Sequence, residues 1–375
     1  MTDSAPTPAA SAQAAPTLAV ATVADRIRRR VLEHTLRNNG GYLSQACSAA
    51  EILATLYLRV MRLGPSQGPA VPRPFAGVPS AANPDAFTGA DYNGPKHPDL
   101  DRFIFSPVHY ALVLYSLLIE LGRLGPDALE QFNQDGSTVE LIGAEHSPGH
   151  EVTAGSLGQA LSQAGGIALA RRLRGERGRV WVFMSDGEFQ EGQTWEAFAA
   201  LAHHRIGNLG VYIDANAQQC DGAMADVMTI EPLAERLRAF GAEVHEVDGH
   251  DPDALAAPAR ARLRLAGDPR VQASDETPRQ PPVDALGQTE SQPPEPAAVP
   301  TAVPAIGPTA GPATGPAAEP AAADRPLVVI ARTDPCRGID LLRARAPKLH
   351  FLRFKSADEH DAYEDLLEHW QDDAS

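Results

Sequence analysis

The stretch that decides the fold covers residues 183–192 and reads FMSDGEFQEG. It continues an uninterrupted apolar run, VWVFM at residues 180–184, which indicates a strand buried on both faces. A helical pattern follows at residues 191–207 (EGQTWEAFAALAHHRIG), and a second strand pattern, LGVYID, covers residues 209–214. A strand, a helix and a strand in this order form a right-handed βαβ unit with parallel strands. The sequence therefore predicts an α/β fold, a parallel sheet with helices on both faces.

The composition restricts the classes of function. The chain has 375 residues, a formal net charge of −16 and 43% hydrophobic residues, enough for one large or two ordinary domains. The acidic balance argues against nucleic acid or an anionic membrane as the main partner. Cys47, Cys220 and Cys336 show no CxxC or Cys/His spacing, so no disulfide framework or zinc site is indicated and a reducing cytoplasm is expected. The N-terminus lacks a signal-peptide pattern, and no window approaches the length of a membrane span.

Composition also suggests how the chain is divided. Residues 268–325 are mostly Pro, Ala, Gly, Thr and Glu, with too few large apolar side chains to bury a core. The strand pattern PLVVIART follows at residues 326–333, and we expect it to return to the same sheet because the remaining chain holds no core of its own. The expected organisation is a disordered tail (1–22), a folded domain (23–267), a disordered insertion (268–325), and the last strand and C-terminal helix of the same domain (326–375).

Other patterns locate further elements of the domain. Apolar residues at helical spacing predict helices from Val23 onward and over residues 49–61. Residues 65–99 are rich in Pro, Gly, Ala and Asn, which predicts an extended surface loop. A long helix is expected after Gly155, and AEVHEVDG at residues 242–249 is a further strand pattern.

Polar residues follow the two strands of the βαβ unit. Asp186 comes at the end of the first strand and Asn216 just after the second. Because parallel strands end on the same edge of a sheet, where α/β folds bind their ligands, a carboxylate and a carboxamide oxygen can converge there on a hard cation such as Mg²⁺. Gly187 lets a ligand approach the backbone closely. A helix cap near Glu191 would explain Asp186 alone, but not the carboxamide at the next strand end.

A glycine-rich segment precedes the first of these strands. Residues 153–159 read TAGSLGQ and are expected to open a helix, whose first amides and dipole favour an anion. The segment therefore resembles a diphosphate cradle. Glycine before a helix is also common as a helix cap, so the segment supports a diphosphate site only in combination with Asp186 and Asn216.

Three segments in this order resemble the thiamine diphosphate-binding half of transketolases, especially their separately encoded N-terminal subunits. They are GSLGQA, SDGEFQEGQTWEAFAALAHHRIGNLGVYIDANAQQCDG and IEPLAERLRAFGAEVHEVDGHD. The resemblance covers most of residues 23–267 and resumes weakly at residues 326–354. It implies the thiamine diphosphate-binding fold, with thiamine diphosphate and Mg²⁺ as cofactors.

The resemblance also implies roles for individual residues. The expected metal ligands are Asp186, the side chain of Asn216 and the backbone carbonyl of Gln218. The expected cofactor contacts are His109, Gly155, Ser156, Leu157, Gly187, Glu188, Asn216 and His350. The expected catalytic residues are His109, Glu191 and Glu196, the two glutamates by coupling paired cofactor sites across a subunit interface. Alternatively, His109 is a satisfied histidine under a helix and the glutamates are first-turn carboxylates favoured by the helix dipole.

Several residues around the expected pocket depart from the family pattern. Tyr42 stands where transketolases carry a histidine that handles sugar hydroxyls, and Ser185 replaces the first glycine of their Gly-Asp-Gly. Cys220 stands where the family has a branched apolar residue against the thiazolium ring, and we expect it to act as a small hydrophobe rather than a nucleophile. His146 is the nearest stand-in for the histidine of the family's Gly-His-Pro. These changes predict a different donor or acceptor substrate.

The resemblance implies transfer of a two-carbon ketol unit from a ketose or ketose phosphate to an aldehyde acceptor. The catalytic glutamate would come from a separate pyrimidine-binding domain. We therefore expect the partner to be a C-terminal transketolase-type subunit, with assembly into a heterotetramer, a pairing surface that includes the helix from Glu191 to His204, and no activity of this chain alone. Two alternatives stay open. One is an enzyme acting on a 2-oxo acid or loading a carrier, since Gly-Gly-Tyr-Leu-Ser at residues 40–44 resembles a Gly-Gly-His stretch of bacterial pyruvate dehydrogenase first components; the other is a non-catalytic scaffold subunit.

Overall fold

A computed structural model describes residues 19–78, 80–83, 86–267 and 321–370 of the chain. Most of the predicted tail (residues 1–18) and most of the predicted insertion (268–320) lie outside the described residues, as do residues 371–375. The described strands are β1 (Arg102–Phe105), β2 (Val180–Ser185), β3 (Leu209–Ala215), β4 (Gln218–Gln219), β5 (Gly222–Ala223), β6 (Glu243–Asp248) and β7 (Leu327–Arg332). The described α-helices are α1 (Val20–Arg37), α2 (Leu43–Thr55), α3 (Ala111–Glu120), α4 (Ala160–Leu173), α5 (Gly192–His203), α6 (Met224–Val227), α7 (Leu233–Ala239), α8 (Pro252–Leu265) and α9 (Ala357–Glu368).

Five of the strands form one parallel sheet in the order β1-β2-β3-β7-β6. The parallel α/β fold predicted from the βαβ unit is confirmed. Strand β7, which follows the predicted insertion, lies between β3 and β6. All five strands start along one edge of the sheet, here the amino edge, and end along the other, the carboxyl edge. In this register Ser185 lies opposite Asp214, so the tips of β2 and β3 are level.

Helices cover both faces of the sheet. Successive side chains of a strand point to opposite faces. Trp181 and Phe183 accordingly belong to one core with α1, α2, α3 and α8, whereas Val182 and Met184 belong to a second core with α4, α5 and α7. Burial of each such side chain stabilises the fold by roughly 1.5–3 kcal/mol. The two cores explain why β2 and β3 are apolar except at Ser185 and Asp214, near their carboxyl ends.

The structure corrects several predicted boundaries. Helix α1 begins at Val20, three residues before the predicted start of the domain, and α2 begins at Leu43 and continues as a π-helix to Val60. Helix α4 begins at Ala160, so the predicted cradle at residues 153–159 is a turn before the helix and not its first turn. Gly158 has a φ of +82°, a left-handed conformation that a continuous helix cannot contain.

The predicted surface loop at residues 65–99 is partly internal. It contains a 3-10 helix (Gly89–Asn93) in which Tyr92 and Asn93 are buried. Their polar groups are satisfied, because Tyr92 donates to the Pro69 carbonyl at 2.9 Å and Asn93 Nδ2 to the Gly149 carbonyl at 3.1 Å. Strand β1 and helix α3 were not predicted at all.

None of the helices in the described ranges has both the length and the apolarity that a bilayer span requires.

Candidate cofactor site

The tips of β2 and β3 bring two predicted site residues together. Asp186 opens a 3-10 turn (Asp186–Gln190) directly after β2, and Asn216 directly follows β3. The Oδ2 atom of Asp186 accepts a hydrogen bond from the backbone N–H of Ala217 at 2.8 Å. The carboxylate of one strand tip therefore contacts the residue beside Asn216, as parallel pairing predicts.

The turn after β3 has an unusual backbone. Ala217 has a φ of 57°, a left-handed conformation that costs an L-residue roughly 1–2 kcal/mol. The turn leads into the short antiparallel pair β4 and β5. The Oδ1 atom of Asn216 accepts from the Gln218 N–H at 2.9 Å, which holds the turn closed. The turn places Ala217, the residue between Asn216 and Gln218, against Asp186.

The electrostatics of Asp186 fit a bound cation. The side chain is buried, and burial together with the neighbouring Asp214 raises the pKa of its carboxyl to about 8. Within the described residues it forms no ion pair with a lysine or arginine. The buried Oε1 atom of Gln218 has no hydrogen-bond partner among those residues either. Oxygen donors without a counter-charge suit a hard divalent ion such as Mg²⁺. The roles of Asp186, Asn216 and Gln218 as metal ligands stay predictions.

The sequence analysis missed Asp214. Its carboxylate is fully buried, which raises its pKa, and four side chains donate to it. These donors are Ser48 Oγ (2.6 Å), Tyr110 OH (2.9 Å) and Asn216 Nδ2 (3.0 Å) to Oδ2, and Thr333 Oγ1 (2.5 Å) to Oδ1. A sequence signal existed: a single carboxylate stands in an otherwise apolar strand, two residues before Asn216 and thus on the same face.

Glu188 connects the glycine-rich turn to β2. Its carboxylate accepts from Ser106 Oγ, from the Ser185 N–H at 2.9 Å and from the Gly158 N–H at 3.3 Å. Burial raises the pKa of this carboxyl to about 7, and the hydrogen bonds oppose the rise. The structure thus uses the predicted cofactor contact Glu188 to hold the turn.

Several backbone groups near this turn are accessible. Gly155 and Ser156 are exposed and Leu157 is half-buried. A Cβ atom added at Gly187 would meet nothing within 4 Å. Protein packing therefore does not require glycine at position 187, and the space above it is open to a ligand.

Two histidines and a tyrosine form an aromatic cluster at the same edge. His109 follows β1 in a 3-10 helix (Val108–Tyr110), and its ring lies 5.0 Å from His350 and 5.7 Å from Tyr42. Tyr42 lies 5.5 Å from His350, with ring edge against ring face. The structure thus brings together His109 and His350, which are far apart in the sequence, and adds Tyr42, the residue that departs from the family pattern.

The imidazoles of this cluster are neutral near pH 7. Burial and the neighbouring His350 lower the pKa of His109 to about 3, and burial also lowers the pKa of His350. Partial burial, with a contribution from Cys220, raises the pKa of Tyr42. The cluster therefore offers neutral hydrogen-bonding groups rather than cations.

Three other predicted residues make no side-chain hydrogen bond with the buried carboxylates among the described residues. Glu191 precedes α5 and Glu196 lies on it, and both side chains are exposed. His146 lies 3.2 Å from Glu140 Oε2, and its ring is 4.4 Å from the Phe75 ring. His146 is thus engaged by Glu140 and Phe75, whereas the glutamates lie where another subunit could contact them.

Comparison with known proteins agrees with this geometry. Residues 81–268 match the family model described as transketolase, thiamine diphosphate binding domain. A transketolase family protein of Sinorhizobium fredii is 35% identical over 233 residues, 62% of this chain and 74% of that protein. The 6-deoxy-6-sulfo-D-fructose transketolase subunit of a Clostridium species is 29% identical over 66% of this chain and 81% of its own length. An apulose-4-phosphate transketolase subunit of Actinobacillus succinogenes is 30% identical over 61% of this chain and 74% of its own length.

Solved structures give the same fold. A transketolase mutant from Pichia stipitis superposes with a TM-score of 0.61 at 21% identity, covering 96% of this chain and 42% of its own. Transketolase from Campylobacter jejuni superposes with a TM-score of 0.59 at 17% identity, covering 95% and 43%. This chain thus spans less than half the length of these two solved transketolase chains. The chain belongs to the transketolase family, and its α/β fold carries that family's thiamine diphosphate-binding domain.

Proposed function

We propose that this chain binds thiamine diphosphate and Mg²⁺ and, together with a second subunit, transfers a two-carbon ketol unit from a ketose or ketose phosphate to an aldehyde. The observation that carries the proposal is the pair of buried carboxylates at adjacent strand tips. Asp186 and Asp214 lie close enough for Asp214 to raise the pKa of Asp186, and neither is paired with a basic side chain among the described residues. Such a pair favours a site for a divalent cation.

The residues fit both expected groups. Asp186, the side chain of Asn216 and the carbonyl of Gln218 would hold the ion. The open backbone at Gly187 and the exposed turn at residues 155–157 would lie against the diphosphate. When bound, thiamine diphosphate supplies the reactive carbon that accepts and donates the ketol unit.

The neutral cluster of Tyr42, His109 and His350 would contact substrate or cofactor without adding charge. Neutral imidazoles donate or accept a hydrogen bond according to their tautomer, and the phenol of Tyr42 is a donor at neutral pH. A tyrosine in place of a histidine therefore supplies a donor that does not titrate near pH 7. We therefore expect the substrate to place its hydroxyl groups differently from the substrates of transketolases that carry the histidine.

A second, partner chain is part of this proposal. Helices α4 and α5 border an apolar surface groove of about 220 Å³, lined by small and apolar residues such as Gly165, Leu169 and Ala200. The predicted interface residues Glu191 and Glu196 belong to the same α5 region. Relatives named as transketolase subunits support the idea that a second chain completes the enzyme.

Calorimetry on the full chain, with and without a candidate partner, tests the cofactor part. We expect thiamine diphosphate to bind with Mg²⁺ present and to be released by a chelator. Binding that is indifferent to the chelator would contradict the metal site. Absence of binding under both conditions would favour the scaffold alternative.

An interface variant tests the pairing part. Ala200 is exposed, lies in the groove and tolerates a helix-forming replacement, so Ala200→Arg should block association without unfolding α5. Ala199→Arg is the matched control, because Ala199 is exposed on the same helix but does not line the groove. Equal association of both variants, measured by analytical ultracentrifugation, would exclude this groove as the interface.

The reaction itself is tested on the two-subunit complex. Turnover of ketose phosphates with aldehyde acceptors, and none of pyruvate, is the expected result. Turnover of pyruvate would instead support the 2-oxo acid alternative, and activity of the purified chain alone would contradict the need for a partner.

A further inference from the structure

The carboxylate of Asp214 lies against the NH₂ end of the Asn216 carboxamide. Asn216 Nδ2 lies 3.0 Å from Asp214 Oδ2 and 3.0 Å from Tyr110 OH. The tyrosine hydroxyl donates its own proton to Asp214, so it can only accept from Asn216. A third neighbour, Ser48 Oγ at 3.4 Å, likewise donates its proton to Asp214, so all three neighbours of Nδ2 are acceptors.

Asp214 accepts from the hydroxyls of Ser48, Tyr110 and Thr333, so its oxygens act as acceptors. Such an acceptor favours the NH₂ group of a carboxamide over the carbonyl end. The oxygen of Asn216 is therefore turned away from Asp214, toward the turn where it accepts from the Gln218 N–H. If the acceptors were removed, the Gln218 N–H alone would still select the oxygen end, and a flipped carboxamide would be more populated. A flipped Asn216 would present two N–H donors to a cation, which repel it.

We propose that Asp214 is a positioning residue that orients the oxygen of Asn216 toward the metal site shared with Asp186. The inference rests on the proposed function, since it needs a cation at that site. Asp214 is itself held from three parts of the fold, by Ser48 of α2, by Tyr110 after β1 and by Thr333 after β7. This support makes its orientation independent of the ion.

A carboxylate–carboxamide exchange tests the inference. In Asp214→Asn, the acceptor that selects the NH₂ group of Asn216 is lost, and we expect the affinity for Mn²⁺, measured by electron paramagnetic resonance in the presence of thiamine diphosphate, to fall about 10- to 100-fold. In the double variant Asp214→Asn/Asn216→Asp, the new amide donates to the new carboxylate, and either end of that carboxylate offers an oxygen to the ion. The net charge of the pair is unchanged, so most of the lost affinity should return.

Thr333→Val is the control for damage to the fold. It removes the donor to Oδ1 of Asp214, with little change of shape, and leaves the Oδ2 contacts to Asn216 intact. We expect it to lower the melting temperature while keeping the wild-type affinity for Mn²⁺.

The possible outcomes distinguish failure of the orienting role of Asp214 from failure of the metal site itself. Loss of Mn²⁺ affinity in Thr333→Val in proportion to its melting temperature, or no recovery in the double variant, would reduce Asp214 to a structural residue. Unchanged affinity in Asp214→Asn would overturn the inference alone. A wild-type chain that binds no Mn²⁺ would overturn the proposed metal site, and this inference with it.

Discussion

The two edges of the sheet differ in how they hold buried charged groups. At the amino edge, a buried arginine pairs with a glutamate and a buried aspartate accepts from several donors. At the tips of β2 and β3, on the carboxyl edge, buried carboxylates lie close together with no basic partner among the described residues. Arg262 is fully buried, pairs with Glu243 and donates to the Arg325 carbonyl at 2.6 Å. Asp101 accepts from Trp181 Nε1 at 3.1 Å and from the Arg179 N–H at 2.9 Å. Both groups join the starts of neighbouring strands, and Arg262 is neutralised there by Glu243.

Within the described residues, the carboxylates at the tips of β2 and β3 accept hydrogen bonds from neutral donors only. Asp186, Glu188 and Asp214 are all buried, and burial raises the pKa of each. Buried groups with raised pKa values destabilise the folded chain at neutral pH and are concentrated at functional sites. The comparison teaches that a buried charge alone does not identify a site, whereas buried carboxylates with raised pKa values at neighbouring strand tips point to one.

The largest expected effects come from replacing one buried aspartate at each edge of the sheet with alanine. Asp186→Ala should abolish Mg²⁺-dependent binding of thiamine diphosphate and leave the metal-free chain at least as stable, because a buried unpaired charge is removed. Asp101→Ala should lower the free energy of unfolding by about 3 kcal/mol or more, because several buried donors lose their acceptor. Calorimetric titration and chemical unfolding measure the two quantities, and equal behaviour of the two variants would erase the distinction between the edges.

The next effect is a loss of folding free energy at low pH, and it comes from His150, which is not a predicted cofactor contact. His150 is fully buried, and burial lowers its pKa from 6.5 to about 4. Because its pKa is lower in the folded chain, the unfolded chain binds more protons below pH 6.5. The stability present above pH 6.5 should therefore be lost as the pH falls toward 4, by about 3 kcal/mol from this residue.

Unfolding titrations at several pH values check this on His150→Asn, which should show a flatter decline than the wild type. The exposed His97 provides the control, since His97→Asn should leave the decline unchanged. A wild-type slope in His150→Asn would mean that other groups govern acid unfolding.

A smaller effect is expected at Gly187. A Cβ atom there meets no protein atom within 4 Å, so Gly187→Ala should fold normally and crowd only a bound diphosphate. We expect its affinity for thiamine diphosphate to fall about 10-fold. Gly192→Ala is the matched control, because its Cβ also meets nothing and it lies at the start of α5. Equal affinities for both variants would place the ligand away from Gly187.

The smallest effect uses the cysteines of the carboxyl edge. Cys220, in the turn between β4 and β5, is exposed, whereas Cys336, after β7, is buried. In the native chain Cys220 should react fastest with a thiol reagent, and Mg²⁺ with thiamine diphosphate should slow that reaction severalfold. Protection followed by mass spectrometry would localise it, and unchanged labelling of Cys220 would put the cofactor elsewhere.

The central strands and their strand tips could be predicted from sequence because their signals are local. An apolar run, a carboxylate and a helix follow one another within residues 180–203, and parallel pairing then puts Asp186 and Asn216 at neighbouring strand tips. Strand β1 has four residues and α3 is apolar on almost every side, so neither shows a clear period. The helix start at Ala160 was misplaced because composition does not reveal the left-handed conformation of Gly158.

The sequence did not reveal which distant residues contact one another. Asp214 stands plainly in LGVYIDA, but its donors Ser48, Tyr110 and Thr333 lie 166, 104 and 119 positions away along the chain. The cluster of Tyr42, His109 and His350 depends in the same way on three distant segments.

By itself, the order of residues determined the α/β class, the edge of the sheet on which we expect a ligand to bind and the membership of the transketolase family, since each depends on periodicity and short motifs. Tertiary structure decided which carboxylates are paired and which are left uncompensated, because a charge's environment is set by groups that only folding brings within a few ångströms. An aspartate carboxyl group therefore joins two strands through hydrogen bonds at Asp101 but is a candidate metal ligand at Asp186.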